Sequence, residues 1–179
     1  MTTAPPILYL QDINLTYGVT PLLEGAELSV SHGARLCLVG RNGSGKSTLL
    51  RIAAGLVDAD SGDRFVQPGV FVSYLAQSPD FAGFETAGDY VLQGVMDNED
   101  KQRAHQIMAD LNIEATAPLT PMSGGERRRV ALAHVMAPQP DILLPAEPTN
   151  HLDLPAIEWQ ETSSRQINSA LVGVSHDPR

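Results

Sequence analysis

The chain has 179 residues, 42% of them hydrophobic and 18% charged, with a formal net charge of −9 at pH 7. That length supports one domain with a real core, and the acidic balance excludes broad contact with a phosphate backbone, which needs clustered Lys and Arg. The apolar runs are only a few residues long, whereas a bilayer takes about 20, and MTTAPPILYL has no basic stretch followed by a long apolar core, so the expectation is a soluble, cytoplasmic chain without membrane insertion.

In chain order, residues 7–9 and 12–17 read as extended, and a turn through Gly18, Val19, Thr20 and Pro21 returns the chain along 22–30, giving a small antiparallel section. Tyr17 stands just before that turn, where its ring either stacks on a base or caps the hydrophobic edge of the sheet. Cys37 lies in the apolar run 36–39; as the single cysteine it excludes an internal disulfide framework, and it is expected to be a small buried core residue.

That run leads into GRNGSGKST, residues 40–48, and a helix-forming stretch follows it. A glycine, four residues, then Gly-Lys-Ser between a strand and a helix makes a phosphate cradle. Gly40, Gly43 and Gly45 let the backbone N–H groups turn inward, and the helix N-terminus adds partial positive charge on the same side. Lys46 is placed to reach the β- and γ-phosphates of a bound triphosphate, and the Ser47 hydroxyl to serve as a Mg²⁺ ligand. Leu49, Ile52, Ala53 and Leu56 recur at helical spacing, with Gly55 as the C-terminal cap.

Further on, Ser61, Gly62 and Asp63 read as a turn and 70–75 as a strand, ending at Gln77. Residues 86–111 turn helical in two segments. Ser123 with Glu126 three residues later forms a capping box opening a helix over 126–137. The Ser-Gly-Gly start also offers N–H groups to a second anion. The basic run 127–129 reads either as a solvated face or as a contact for a polyanionic partner, and His105 and His134 carry no assigned role. Residues 141–144 form a short strand, Asp153 caps a further helix with Pro155 in its first turn, and 170–174 is the last strand, with Ser175, His176 and Asp177 at its tip. Strands alternating with helices predict an α/β fold built on a mainly parallel sheet.

Taken in order, GRNGSGKST, SGGERRRVALA, EPTNHLD and the terminal SHD resemble an ATP-binding cassette (ABC) ATPase over essentially the whole chain, and PTNHLD looks most like the first cassette of an ABC-F protein. The resemblance implies a P-loop domain with a mainly parallel sheet, a small antiparallel β section and a helical subdomain at about 82–137, all within one cassette domain spanning 1–179. ATP and Mg²⁺ are the implied cofactors. Gly40, Asn42, Gly43, Ser44, Gly45, Lys46, Ser47 and Thr48 would hold the phosphates, Tyr17 would stack on adenine, and Gln77 would stand near the Mg²⁺ held by Ser47. Ser123, Gly124 and Gly125 would close on a nucleotide held by a second cassette, in a homodimer or on another chain, with Asp153 across that interface. Glu147 would be the base for the attacking water and His176 the switch histidine near the γ-phosphate.

Two departures stand out. The family has an aspartate before the catalytic glutamate, where this chain has Ala146, preceded by Pro145; and the family continues past the switch histidine, whereas this chain is expected to be truncated, since it stops at Arg179. The implied activity is that of a soluble ABC-F ATPase acting on the ribosome or nucleic acid. The rival readings are the ATP-binding subunit of a membrane transporter and a nucleotide-binding fragment with little turnover.

Overall fold

The computed structural model describes residues 5–146 and 169–176, with only the backbone of the last two. These residues fall into two compact units, one of residues 5–74, 141–146 and 169–176, the other of residues 75–140.

The first unit holds two sheets. β1 (Leu8–Tyr17) pairs antiparallel with both β2 (Thr20–Val30) and β4 (Ser61–Val66) in the order β2-β1-β4. The residues expected to form a turn at 61–63 instead begin β4, because Gly62 passes so close to β1 that an added Cβ would lie 2.4 Å from the Asp12 carbonyl oxygen. The two extended stretches expected before Gly18 are one strand. Its buried positions run Leu8, Leu10, then Ile13, Leu15, a jump of three at the centre. A strand keeps one face only in steps of two, so an extra residue must be absorbed. The register shifts between Leu10 and Ile13, with Asp12 at φ 51, and both apolar pairs therefore reach the core.

The second sheet has the order β3-β7-β6-β5, from β3 (Arg35–Gly40), β7 (Ala170–His176), β6 (Ile142–Pro145) and β5 (Val72–Leu75). β3 and β6 both run parallel to β7. Helix α1 (Lys46–Ala54) buries Leu49, Leu50, Ile52 and Ala53 in the core that joins the two sheets. Each large aliphatic among them contributes about 1.5–3 kcal/mol. Gly55, at φ 76, caps the helix, and Leu56, expected on its apolar face, is 61% exposed beyond that cap. Cys37 is also exposed, contrary to expectation. It lies on β3, an edge strand among the described residues, where Arg35, Cys37 and Val39 alternate outward.

The second unit is helical: α2 (Ala87–Val91), α3 (Asn98–Asp110) and α4 (Gly124–Met136). Val95, expected within the first helical segment, lies after α2 ends but is still buried. Ala104, Ile107 and Met108 of α3 and Val130, Leu132 and Ala133 of α4 are buried in turn. No helix among the described residues is long and apolar enough to cross a membrane.

Candidate phosphate-binding site

Parallel strands end at a common edge, and in open α/β sheets that carboxyl edge is where ligands bind. β3 ends there at Gly40, and the register Gly40↔His176 sets the backbone of His176 directly beside it. The loop from Gly40 then turns into α1 through Gly43 (φ 79) and Gly45 (φ 85). Gly45 is the N-cap, and no side chain caps the helix there. The first helical bond is Leu49 N–H to the Gly45 carbonyl at 2.8 Å, so the amides of Lys46, Ser47 and Thr48 have no acceptor within the helix. Two conditions require glycine at position 45. Its φ is left-handed, and an added Cβ would lie 2.7 Å from Leu23 Cδ2 and 3.2 Å from the Leu22 carbonyl oxygen, so β2 backs the loop tightly.

Lys46 folds over the loop. Its Nζ donates to the Gly40 carbonyl at 2.6 Å and the Arg41 carbonyl at 2.7 Å. An ammonium held at the loop, beside first-turn amides and a helix dipole, supplies what several phosphate oxygens need at once: fixed donors and net positive charge. Arg41, Asn42, Gly43, Ser44 and Ser47 are exposed at this face. A cavity of about 290 Å³, lined by Leu23, Leu38, Val39, Gly45, Lys46 and Leu49 among others, borders the loop.

Tyr17 belongs to the same unit and is 59% exposed at the end of β1, with Gly18 at φ 67 making the turn. The Arg51 guanidinium of α1 is raised above its usual value mainly by its 3.4 Å contact with the Tyr74 hydroxyl.

Gln77 is exposed in a bend after β5, and Ser123, Gly124 and Gly125 open α4; all four belong to the other unit. The expected capping box is present, with the helix starting at Gly124, two residues earlier than the sequence suggested. Glu126 Oε2 accepts from the Ser123 N–H at 2.7 Å and from its hydroxyl at 2.6 Å. Those two hydrogen bonds hold the Glu126 carboxyl below its usual value. The anion-binding donors of Ser123 are therefore already engaged by a carboxylate, and the amides of Gly124 and Gly125 remain. An added Cβ at Gly124 meets nothing within 4 Å, so that approach is open.

The basic run on α4 is less solvated than a plain charged face: Arg127 lies over the Phe81 ring at 4.7 Å and all of Arg127, Arg128 and Arg129 are partly buried. His134, which the sequence left without a role, packs on Tyr90 at 4.7 Å between ring centroids, and burial pushes its imidazole below its usual value.

Ala146 is buried immediately after β6, and the β6–β7 register runs through Ile142 and Leu143, short of Pro145. Glu147, Asp153 and the side chain of His176 lie outside the described residues. For Mg²⁺, the described donor set is thin: Ser47 offers a hydroxyl, Ala146 offers no oxygen, and no group of three His, Cys, Asp or Glu residues is assembled among the described residues. Such a set still fits an ion that takes most of its ligands from phosphates and water.

A phosphate cradle backed by one sheet and opening at the carboxyl edge of another, parallel sheet defines a P-loop nucleotide-binding domain. The sequence relationships narrow that class. Residues 23–150 match the family described as ABC transporter, and the chain belongs to this ATP-binding cassette family. Within it, the similarity is to the ABC-F branch. ATP-binding protein Uup of Caulobacter vibrioides is 47% identical over 96% of this chain and 28% of the relative. The ribosome protection protein VmlR of Bacillus subtilis is 34% identical, over 98% and 32%. The energy-dependent translational throttle protein EttA of Mycobacterium tuberculosis is 32% identical, over 96% and 38%. The chain thus spans about a third of the length of these curated relatives. A dimeric, post-hydrolysis ATP-binding cassette bound to ADP and Pi superposes with TM-score 0.80 at 23% identity, over 95% of this chain and 88% of that one. The ATP-binding subunit of an ABC transporter gives 0.84 at 19%, over 95% and 79%. At those identities the likeness establishes the fold.

Several contributors escaped the sequence reading. Leu22 and Leu23, which wall Gly45, read only as strand residues. Arg64 of β4 donates through Nε and NH2 to the Ala53 carbonyl at 3.1 and 2.9 Å, holding the C-terminal end of α1, and a lone arginine just after a supposed turn gave no sign of that reach.

Proposed function

We propose that this chain is an ATP-binding domain of a soluble, cytoplasmic ABC-F-type ATPase, which works with a second cassette and turns ATP over slowly. The observation that carries the reading is the uncapped N-terminus of α1 at Gly45 with the Lys46 ammonium folded over the loop. Backbone amides and Lys46 grip the phosphates, and the exposed ring of Tyr17 takes the base. Mg²⁺, held by ATP oxygens and Ser47 with Gln77 nearby, would neutralise phosphate charge when bound. Glu147 orients the attacking water, His176 answers to the γ-phosphate, and Ser123, Gly124, Gly125 and Asp153 serve the nucleotide of the partner cassette. The names of two relatives, a translational throttle and a ribosome protection protein, support the ribosome as the site of action.

Ala146 is why turnover is slow: no oxygen stands where an outer-shell metal partner belongs, and losing such a partner costs about 10 to 100-fold in metal affinity or activity. Calorimetry with ATP tests the binding half. Lys46→Ala should weaken affinity about tenfold to a hundredfold, and an unchanged affinity refutes the cradle. A hydrolysis assay tests the other half. Ala146→Asp with Pro145→Leu should raise both Mg²⁺ affinity and rate, whereas a starting chain that already matches the double variant removes Ala146 as the weak point.

A further inference from the structure

The antiparallel sheet has a second face that the nucleotide reading leaves unused. Leu8, Leu10, Leu28 and Val30 are buried in the core and Val66 packs against it, so their neighbours along each strand point outward. The register pairs Tyr9 with Ser29 on one side and Phe65 on the other, and Gln11 with Asp63. Glu27 stands opposite the bulge at Gln11 and Asp12. The outer face therefore carries an aromatic row, Phe65 and Tyr9, and beside it an acidic row, Asp63 and Glu27, whose strands lie about 10 Å apart on either side of β1.

The rings are stacked at 5.0 Å with planes 20° apart, and Phe65 remains 38% exposed. The charge on this sheet has one sign. Asp12, Glu24, Glu27 and Asp63 are exposed, no Lys or Arg precedes Arg35 in the chain, and the one cation on the three strands, Arg64, is turned to the opposite side and bonded to the Ala53 carbonyl of α1.

We propose that this outer face docks a cationic polypeptide segment, one arginine or lysine of which lies on the Tyr9–Phe65 rings while its neighbours pair with Asp63 and Glu27. The charge selects the partner. Aromatic faces attract cations, and carboxylates within one strand spacing add to that pull. Nucleic-acid bases also stack on aromatic rings, but their phosphates would be repelled by the carboxylates here. The docking goes beyond the nucleotide reading and does not depend on it, since no residue of the phosphate loop takes part.

The test uses this chain and a short peptide of alternating arginine and serine, with binding followed by fluorescence anisotropy and mapped by NMR. Tyr9, Phe65, Asp63 and Glu27 should show the largest shifts. Asp63→Asn with Glu27→Gln should weaken binding about fivefold, and Phe65→Ser about threefold. Asp110→Asn with Glu114→Gln, which removes the same charge from the other unit, should change it little. Circular dichroism and ATP affinity report that each variant is folded. Equal losses from the two double variants mean that net charge alone attracts the peptide, and that result overturns the docking face. Shifts mapping elsewhere, or a single-stranded oligonucleotide displacing the peptide from these residues, overturn it too.

Discussion

Gly45→Ala and Gly43→Ala form a pair that separates backbone strain from packing at the phosphate loop. Both glycines are left-handed, at φ 85 and 79. An alanine in that region costs roughly 1–2 kcal/mol, offset by about 0.4–1 kcal/mol because the unfolded chain loses freedom. Around Gly43 an added Cβ meets nothing within 4 Å, so packing adds no further cost and the net loss is about 1 kcal/mol. At Gly45 the same Cβ meets Leu23 Cδ2 at 2.7 Å and the Leu22 carbonyl at 3.2 Å. The leucine methyl can swing aside, but the carbonyl belongs to β2 and moves only with the strand, so overpacking adds about 1–3 kcal/mol. In urea, where the slope for a chain of this size is about 2 kcal/mol/M, the Gly45 variant should unfold at a midpoint roughly 0.5–1.5 M below the Gly43 variant. Two equal midpoints would refute the claim that β2 backs the loop rigidly.

Two further outcomes follow from contacts away from the loop. Arg64→Met keeps the aliphatic stem but removes both hydrogen bonds to the Ala53 carbonyl, and it should lower stability by about 1–2 kcal/mol in the same urea assay, with faster amide exchange at the C-terminal end of α1. The His134 imidazole is held below its usual value, chiefly by burial. The unfolded chain therefore binds a proton first as pH falls below the ordinary histidine range, and stability should drop from there until the folded-state value is passed. Melting temperatures at pH 7.5 and pH 5.5 should differ more for the parent than for His134→Phe, and an equal drop in both would remove His134 as a source of the acid sensitivity.

The phosphate loop was legible because its chemistry is local. Glycines in left-handed turns, a lysine and a helix start are all written within nine consecutive residues, as is the capping box of Ser123 and Glu126 within four. What the sequence could not show depends on partners distant in the chain. Cys37 has a core residue's composition around it, yet its exposure follows from β3 standing at a sheet edge among the described residues. Ser61, Gly62 and Asp63 carry turn chemistry, and only the close pass of β1 at Asp12 makes a strand of them. His134 carries no sign of a role until α2 brings Tyr90 against it.

On the proposed reading, the chain's own nucleotide and that of a partner cassette draw on different parts of this chain, and that division has an energetic consequence. The loop, Lys46 and Tyr17 all belong to the first unit, and the sheet, Leu22 and Leu23 hold the loop in shape before any ligand arrives. A grip preorganised in this way spends little binding energy on ordering itself. Ser123 is in a different position, because its N–H and hydroxyl already serve Glu126, and a phosphate approaching α4 must either displace that carboxylate or settle for the amides of Gly124 and Gly125. Displacement sets like charges against each other, so it carries a cost that first-unit binding does not. ATP affinity should therefore track the integrity of the phosphate loop, while any step that uses α4 should be the more sensitive to salt and to the charge at position 126.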